Sequence, residues 1–378
     1  MSSILIIDDS KLNVAYLQNT LHEAGYEDVR AAYSAQEAYR ELGIVDGQPS
    51  RKRASMDLIL LDIVMPEIDG IEVCTVLKSM ELYQDIPIIF LTADRAHFKE
   101  AFSAGGMDFI EKGGPDYELL ARVQSALRLK KEIDERKDWE EKLQKDLQLA
   151  KHLQRSVLSA PLLEPGISIH SRYIQSAEVS GDMFYWKMFA NRKCGVLLID
   201  VSGHGIPAAL ISMSIRSLLD GIVGIYRQPR DVCMELNRQM RLLFGKNRRS
   251  AYFTAIYLLI DLDKHELEYV NAGHPPGLLL TKDQSPIKLV GTTVPVGIKQ
   301  DMKIETAHMS YDGPCRIILY TDGLVEQPGT SIHFGIDKLE QYAQSLDYLD
   351  NEHFVGKLER LNRQRDDDIC IVSIELDG

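Results

Sequence analysis

Short, wholly apolar runs separated by amphipathic stretches fill the first third of the chain. Ile4 to Ile7, Leu58 to Leu61 and Ile86 to Leu91 read as strands buried on both faces. Leu12 to Ala24 and Ala35 to Leu42 carry helical spacing between them. Strand–helix alternation of this kind predicts a doubly wound α/β unit with a parallel sheet covered on both sides. The polar stretch Asp46 to Ser55, with Gly47 and Pro49, reads as an enlarged surface loop.

The pattern changes at about Ala121. From there to Ser159 the chain has no Gly or Pro and is dense in charge, which predicts one long helix. Leu129, Ile133, Leu143, Leu147, Ala150 and Val157 follow a repeat of about 3.5 residues, the seam of a coiled coil. Arg136, Glu140 and Gln154 interrupt that seam, so a solvated helical linker is the alternative. Pro161 and Pro165-Gly166 stop the helix. A strand-rich stretch follows, with Gly195 to Val201, Ala251 to Asp261, Leu267 to Ala272, Gly277 to Thr281, Arg316 to Thr321 and Ile369 to Leu376. Helical patterns at Pro207 to Tyr226, Arg230 to Phe244 and Asp337 to Leu346 interrupt it, which predicts an α+β sandwich. The expected division is a unit over 1–128, a helical linker over 129–160 and a second unit over 161–378.

Composition narrows the partners. A chain of 378 residues exceeds what one core usually supports, in keeping with two units and a connector. The net charge of −13 opposes approach to nucleic acid or anionic membrane, so neither is expected as a partner. Arg51-Lys52-Arg53 and Lys246 to Arg249 read as solvated loop charge. Five scattered cysteines without a CxxC pair argue against a disulfide or zinc framework. No basic leader precedes Ile4, and no apolar run reaches the roughly 20 residues that span a bilayer, so a cytoplasmic location is expected.

Carboxylates stand at the ends of the first strands. Asp8 and Asp9 follow one, Asp62 closes another, Thr92 ends a third and Lys112 a fourth. The carboxyl ends of parallel strands meet at one crevice, where three carboxylates need a cation between them, and oxygen ligands at that density suit Mg²⁺. Together with Met65-Pro66, Asp69-Gly70 and Leu91-Thr92-Ala93, these residues resemble the CheY-like receiver of bacterial response regulators over about residues 1–128. The resemblance implies that Asp62 accepts phosphate from a cognate histidine kinase while Asp8, Asp9 and Asp62 hold Mg²⁺. It assigns the phosphoryl oxygens to Thr92 and Lys112 and makes Phe109 the switch aromatic. Gly113-Gly114-Pro115 departs from the family, which places proline directly after the lysine.

Four acidic sites mark the second unit: Ser180-Gly181-Asp182, Asp200 to Gly205, Thr321-Asp322-Gly323 and Asp366-Asp367-Asp368. Aspartates beside glycines at strand edges, without cysteine or paired histidine, favour Mg²⁺ or Mn²⁺ over Zn²⁺. Two such ions about 3.5–4 Å apart activate a water for in-line attack on phosphorus. With Glu178-Val179, Pro207 to Leu210, Asn271 to Pro276 and Tyr320 to Glu326, these motifs resemble the type 2C, metal-dependent serine/threonine phosphatases. The match is to the bacterial branch of sporulation and stress-response regulators, over about residues 160–378. The resemblance makes Asp182, Asp200, Asp322 and Asp367 the catalytic metal ligands, joined by the Val201 carbonyl, with two Mn²⁺ or Mg²⁺. The triple aspartate leaves Asp368 as the alternative to Asp367. For His204 and His274 a structural role competes with one as catalytic acid or as support to the ligands.

Asp146 to Leu158 resembles the helix that precedes this phosphatase branch. The whole then reads as a phosphorylation-regulated response regulator that hydrolyses phosphoserine or phosphothreonine. By analogy with the family, its substrate is an anti-sigma-factor antagonist of a partner-switching pathway, and the helix pairs two copies as a homodimer. The competing reading is a phosphatase fold of weak or no activity that serves as a phosphorylation-gated adaptor.

Overall fold

The computed structural model describes residues 2–45, 48–49, 56–93, 97–244, 251–281, 284–326, 329–346, 350–361 and 367–377. Both basic clusters, most of the loop after Asp46, and Asp366 lie outside them. The described residues fall into two compact units, Met1–Gln144 and Lys145–Gly378.

In the first unit five strands alternate with helices: β1 Ser3–Ile7, α1 Lys11–Glu23, β2 Asp28–Ala32, α2 Ala35–Leu42, β3 Leu58–Asp62, α3 Gly70–Ser79, β4 Ile88–Thr92, α4 Phe98–Ser103 and β5 Asp108–Glu111. The sheet is parallel throughout, in the order β2-β1-β3-β4-β5. β1, β3 and β4 are buried at every position because helices cover both faces. Ser10, Ser34 and Asp69 cap α1, α2 and α3 with side-chain oxygens, and Gly43 closes α2 in the left-handed region.

α5 runs unbroken from Asp116 to Ser156. It begins earlier than its charge pattern suggests, because Leu119, Val123 and Ala126 pack into the core of the first unit. The helix that packs on the first sheet and the charged stretch after it are thus one element. Along the exposed stretch, Arg128–Glu132, Lys131–Glu135 and Arg136–Glu140 pair at i, i+4. Each such pair adds about 0.2–0.5 kcal/mol to the helix, which has little packing there to hold it.

The second unit is two antiparallel sheets between two pairs of helices. One sheet holds β8 Met183–Phe189, β9 Lys193–Val201, β10 Phe253–Asp261, β11 Glu266–Ala272 and β14 Ala307–Ser310, in that order. The other runs β13 Ile287–Leu289, β12 Gly277–Thr281, β15 Cys315–Tyr320, β16 Ile369–Leu376, β7 Ile167–Ile174 and β6 Leu162–Glu164. Period-2 alternation builds the layers. Val196, Leu198, Leu258, Ile317, Leu319 and Val372 meet between the sheets. Leu197, Ile199, Tyr257 and Leu259 turn outward onto α6 Gly205–Tyr226 and α7 Pro229–Phe244. Ile318, Tyr320 and Ile371 turn onto α8 Ile332–Ser345 and α9 Asn351–Leu358. By length and composition α6 could cross a bilayer. Here Ala208, Ile215, Leu219 and Val223 bury one side of it against the sheet.

Candidate functional site

At the carboxyl edge of the parallel sheet, Asp8, Asp9 and Asp62 bring carboxylate oxygens within 4.8 Å of one another. Lys112 Nζ reaches Asp8 Oδ2 at 2.9 Å and Asp62 Oδ2 at 2.6 Å. Burial, joined by the charge of Asp8, raises the Asp62 pKa despite the opposing Lys112 ammonium. Burial works against the Lys112 charge as well, but its bonds to Asp62 and Asp8 win, and its pKa rises. The lysine thus partly offsets the crowding of the carboxylates. Thr92 is buried at the end of β4, and the Lys112 N–H donates to its carbonyl at 2.7 Å. Phe109 lies one strand over, with its ring centroid 3.7 Å from that of Phe98 and 6.1 Å from that of Phe102. Gly70 is required here: a Cβ on it would stand 2.0 Å from the Asp62 carbonyl oxygen. Gly113 takes a φ of +84°, so the departure after Lys112 is a left-handed glycine turn.

In the sandwich, four strand ends converge. Asp182 precedes β8, Asp200 lies in the last two residues of β9, Asp322 follows β15 and Asp367 precedes β16. The first two come from one sheet and the last two from the other. All four line a cavity of about 300 Å³ with Gly181, Val201 to His204, Tyr252, Thr254 and Asp368. No lysine or arginine is among its described lining residues.

Carboxylates crowded in so little water resist ionisation. Burial first, then repulsion from Asp322 and Asp367, pushes Asp200 up to about 7. Asp322 rises to about 6 through burial and the charge of Asp367. Asp182, fully buried beside Asp200, is raised well above the usual carboxylate range. Its Oδ2 is buried with no hydrogen-bond partner. An orphaned carboxylate oxygen in an all-oxygen cradle fits a hard divalent cation.

The neighbours fix this geometry. A Cβ on Gly181 would stand 3.0 Å from the Val201 carbonyl oxygen, and one on Gly323 would stand 2.1 Å from the Asp368 carbonyl oxygen. Asp368 is buried, and its Oδ1 accepts from the Ser176 N–H at 2.8 Å and hydroxyl at 2.9 Å. Asp367 is exposed to the cavity, and its Oδ1 accepts the Asp368 N–H at 2.7 Å. His204 sits at the N-cap of α6, exposed at the cavity rim.

His274 is buried. Its Nε2 is 3.1 Å from the Tyr320 carbonyl, which can only accept, so Nε2 carries the proton. Nδ1 then accepts from the Thr254 hydroxyl at 2.7 Å. Burial lowers the His274 pKa to about 3. A neutral, doubly bonded imidazole ties β10 to β15, which is a structural arrangement. Thr254 and Tyr252 were missed from the sequence, since a threonine within an apolar strand gives no signal of what it faces.

The region 190–377 matches the family described as Stage II sporulation protein E (SpoIIE), and 4–124 matches the response regulator receiver domain. The chain is similar to phosphoserine phosphatase RsbP of Bacillus subtilis (strain 168), with 31% identity over 235 residues, 61% of this chain and 58% of that protein. Phosphoserine phosphatase RsbU of the same organism is 25% identical over 189 residues, 50% of this chain and 55% of that protein. The chain therefore spans somewhat over half the length of these curated relatives. The crystal structure of the RsbU and RsbW domains of Rv1364c from Mycobacterium tuberculosis shares the fold, with a TM-score of 0.52 at 24% identity over 58% of this chain and 64% of that one.

Proposed function

The chain belongs to the response-regulator receiver family over residues 4–124 and to the SpoIIE family over residues 190–377, and on that premise we propose a phosphorylation-controlled protein phosphatase. It hydrolyses phosphoserine or phosphothreonine on a partner protein. The observation that carries this reading is the convergence of Asp182, Asp200, Asp322 and Asp367 from two sheets onto one cavity, with an unpartnered carboxylate oxygen inside it.

Those four carboxylates and the Val201 carbonyl are the proposed ligands of two Mn²⁺ or Mg²⁺. Asp367 is preferred to Asp368 because the Asp368 carboxylate already accepts two bonds from Ser176. Such ions supply an activated water and neutralise charge as phosphorus is attacked. The protein's own part is to hold acceptor oxygens at fixed positions in a small, partly desolvated pocket. The described lining of that pocket carries no lysine or arginine, so cations held by these aspartates would supply the positive charge facing a substrate phosphate.

In the receiver, Asp62 is the proposed phosphoacceptor for a histidine kinase, with Asp8, Asp9 and Asp62 around Mg²⁺. Lys112, already bonded to Asp62, stands ready to hold a phosphoryl oxygen with Thr92. Phe109, packed on Phe98 and Phe102, is the proposed switch aromatic. Residues 1–128, 129–160 and 161–378 serve as receiver, linker and phosphatase. The linker pairs two copies in a cytoplasmic homodimer and carries the receiver's state to the phosphatase.

The proposed substrate is a phosphorylated anti-sigma-factor antagonist. Incubating the protein with Mn²⁺ and candidate phosphorylated antagonists, with Asp62 unmodified and phosphorylated, should release phosphate at two different rates. Equal rates in both states would remove the control, and no release from any candidate would remove the substrate class.

A further inference from the structure

The C-terminal part of α5 carries one buried polar side chain among exposed ones. Gln154 is only 3% exposed, and its amide makes three hydrogen bonds. Nε2 donates to the Ser180 carbonyl at 2.6 Å, and Oε1 accepts from the Ser180 N–H at 3.2 Å and from Gln175 Nε2 at 3.0 Å. The pair with Ser180 uses both of that residue's backbone groups, as a strand neighbour would. Gln148 and Lys151, on the same side of the helix, reach Glu178 of the same segment at 2.7 and 3.3 Å.

Ser180 leads directly into the proposed metal site. Its hydroxyl accepts the Asp182 N–H at 3.0 Å, and Ser180 is itself fully buried. Between them Gly181 lies close against Val201, where a Cβ would stand only 3.0 Å from the Val201 carbonyl oxygen and 3.3 Å from its Cβ. A shift of the Ser180 backbone must therefore move Asp182, Gly181 or Val201. Resting on the phosphatase reading, we propose that Gln154 is a positioning residue for the metal site. It fixes the Ser180 backbone so that Asp182 and the Val201 carbonyl keep ligand geometry. The function explains why a glutamine occupies a seam position where an apolar residue would pair helices better. A primary amide carries its donor and its acceptor on separate atoms, and so meets the N–H and the C=O of one residue at once.

The test measures Mn²⁺ affinity by titration calorimetry on the purified full-length chain with Asp8→Asn and Asp9→Asn, which remove cation ligands of the first unit, alone and combined with Gln154→Leu, Gln154→Glu or Lys151→Ala. Outer partners of metal ligands typically contribute about 10–100-fold in affinity. Gln154→Leu should weaken Mn²⁺ binding by about tenfold or more. Gln154→Glu, which keeps the acceptor and loses the donor, should also weaken it. Lys151→Ala should leave it within about twofold. Hydrolysis of para-nitrophenyl phosphate by the Gln154 variants should recover toward the natural rate at saturating Mn²⁺, with KM for the ester unchanged. If Gln154→Leu does not fold, the glutamate variant decides alone. Mn²⁺ affinity unchanged from the Asp8→Asn, Asp9→Asn background in a folded Gln154 variant overturns the inference. A background chain that binds no Mn²⁺ overturns the phosphatase reading beneath it.

Discussion

His274 shows how one side chain serves the site without touching chemistry. Its pKa of about 3 against an ordinary 6.5 means that the unfolded chain takes up a proton that the native one refuses. Stability from this group is therefore full above about pH 6.5 and falls as pH drops toward 3. At pH 5 the loss is about 2 kcal/mol. His274→Gln loses about 2 kcal/mol at pH 7.5 with the two buried hydrogen bonds, but is free of the acid penalty. Urea denaturation should find the variant's deficit at pH 7.5 narrowed at pH 5; a gap that is constant or widens contradicts the assignment. At Gly323 the constraint is steric. Gly323→Ala sets a methyl against the Asp368 carbonyl and should cost about 2–4 kcal/mol in thermal stability. An unshifted melting temperature would count against the packing described. The acidic residues of both sites were legible because each stands beside a glycine or at a strand end. Thr254 and Gln154 were not, since what a lone polar residue bonds to depends on distant backbone.

Among the elements, the central strands were legible because burial on both faces leaves an unbroken apolar run. β7 and β8 were not: Ile167–Ile174 alternates with serine, histidine and arginine, and Met183–Phe189 is aromatic and interrupted by Lys187. α9 was hidden by its shortness. The seam of α5 proved only partly free. Gln154 is turned to Ser180, whereas Leu129 and Leu143 remain exposed at 42% and 36%. The homodimer proposed above would then pair through the Leu129–Leu143 stretch. The double variant Leu129→Glu, Leu143→Glu should convert a dimer to a monomer by light scattering while each unit stays folded. A double variant that is still dimeric would place the pairing surface elsewhere.

For the whole molecule, both folds and their order could be read from strand–helix alternation and from the acidic motifs, whereas the continuity of receiver helix and linker could not. Leu119, Val123 and Ala126 look like any helical stripe until the sheet they cover is known. Control by the receiver predicts that beryllofluoride, a phosphoryl mimic at Asp62, changes the phosphatase rate, and that Asp62→Asn abolishes the difference. An equal response in Asp62→Asn would place the effect outside the receiver. The central claim is that aspartates from two sheets hold divalent ions that hydrolyse a phosphoester. Its most direct test is hydrolysis of para-nitrophenyl phosphate by the full chain with Mn²⁺, with chelator, and with Asp200→Ala and Asp322→Ala. The account predicts hydrolysis that chelator stops, that added Mn²⁺ restores, and that either substitution lowers by more than about a hundredfold. Hydrolysis that survives both substitutions, or that proceeds unchanged in chelator, would contradict it.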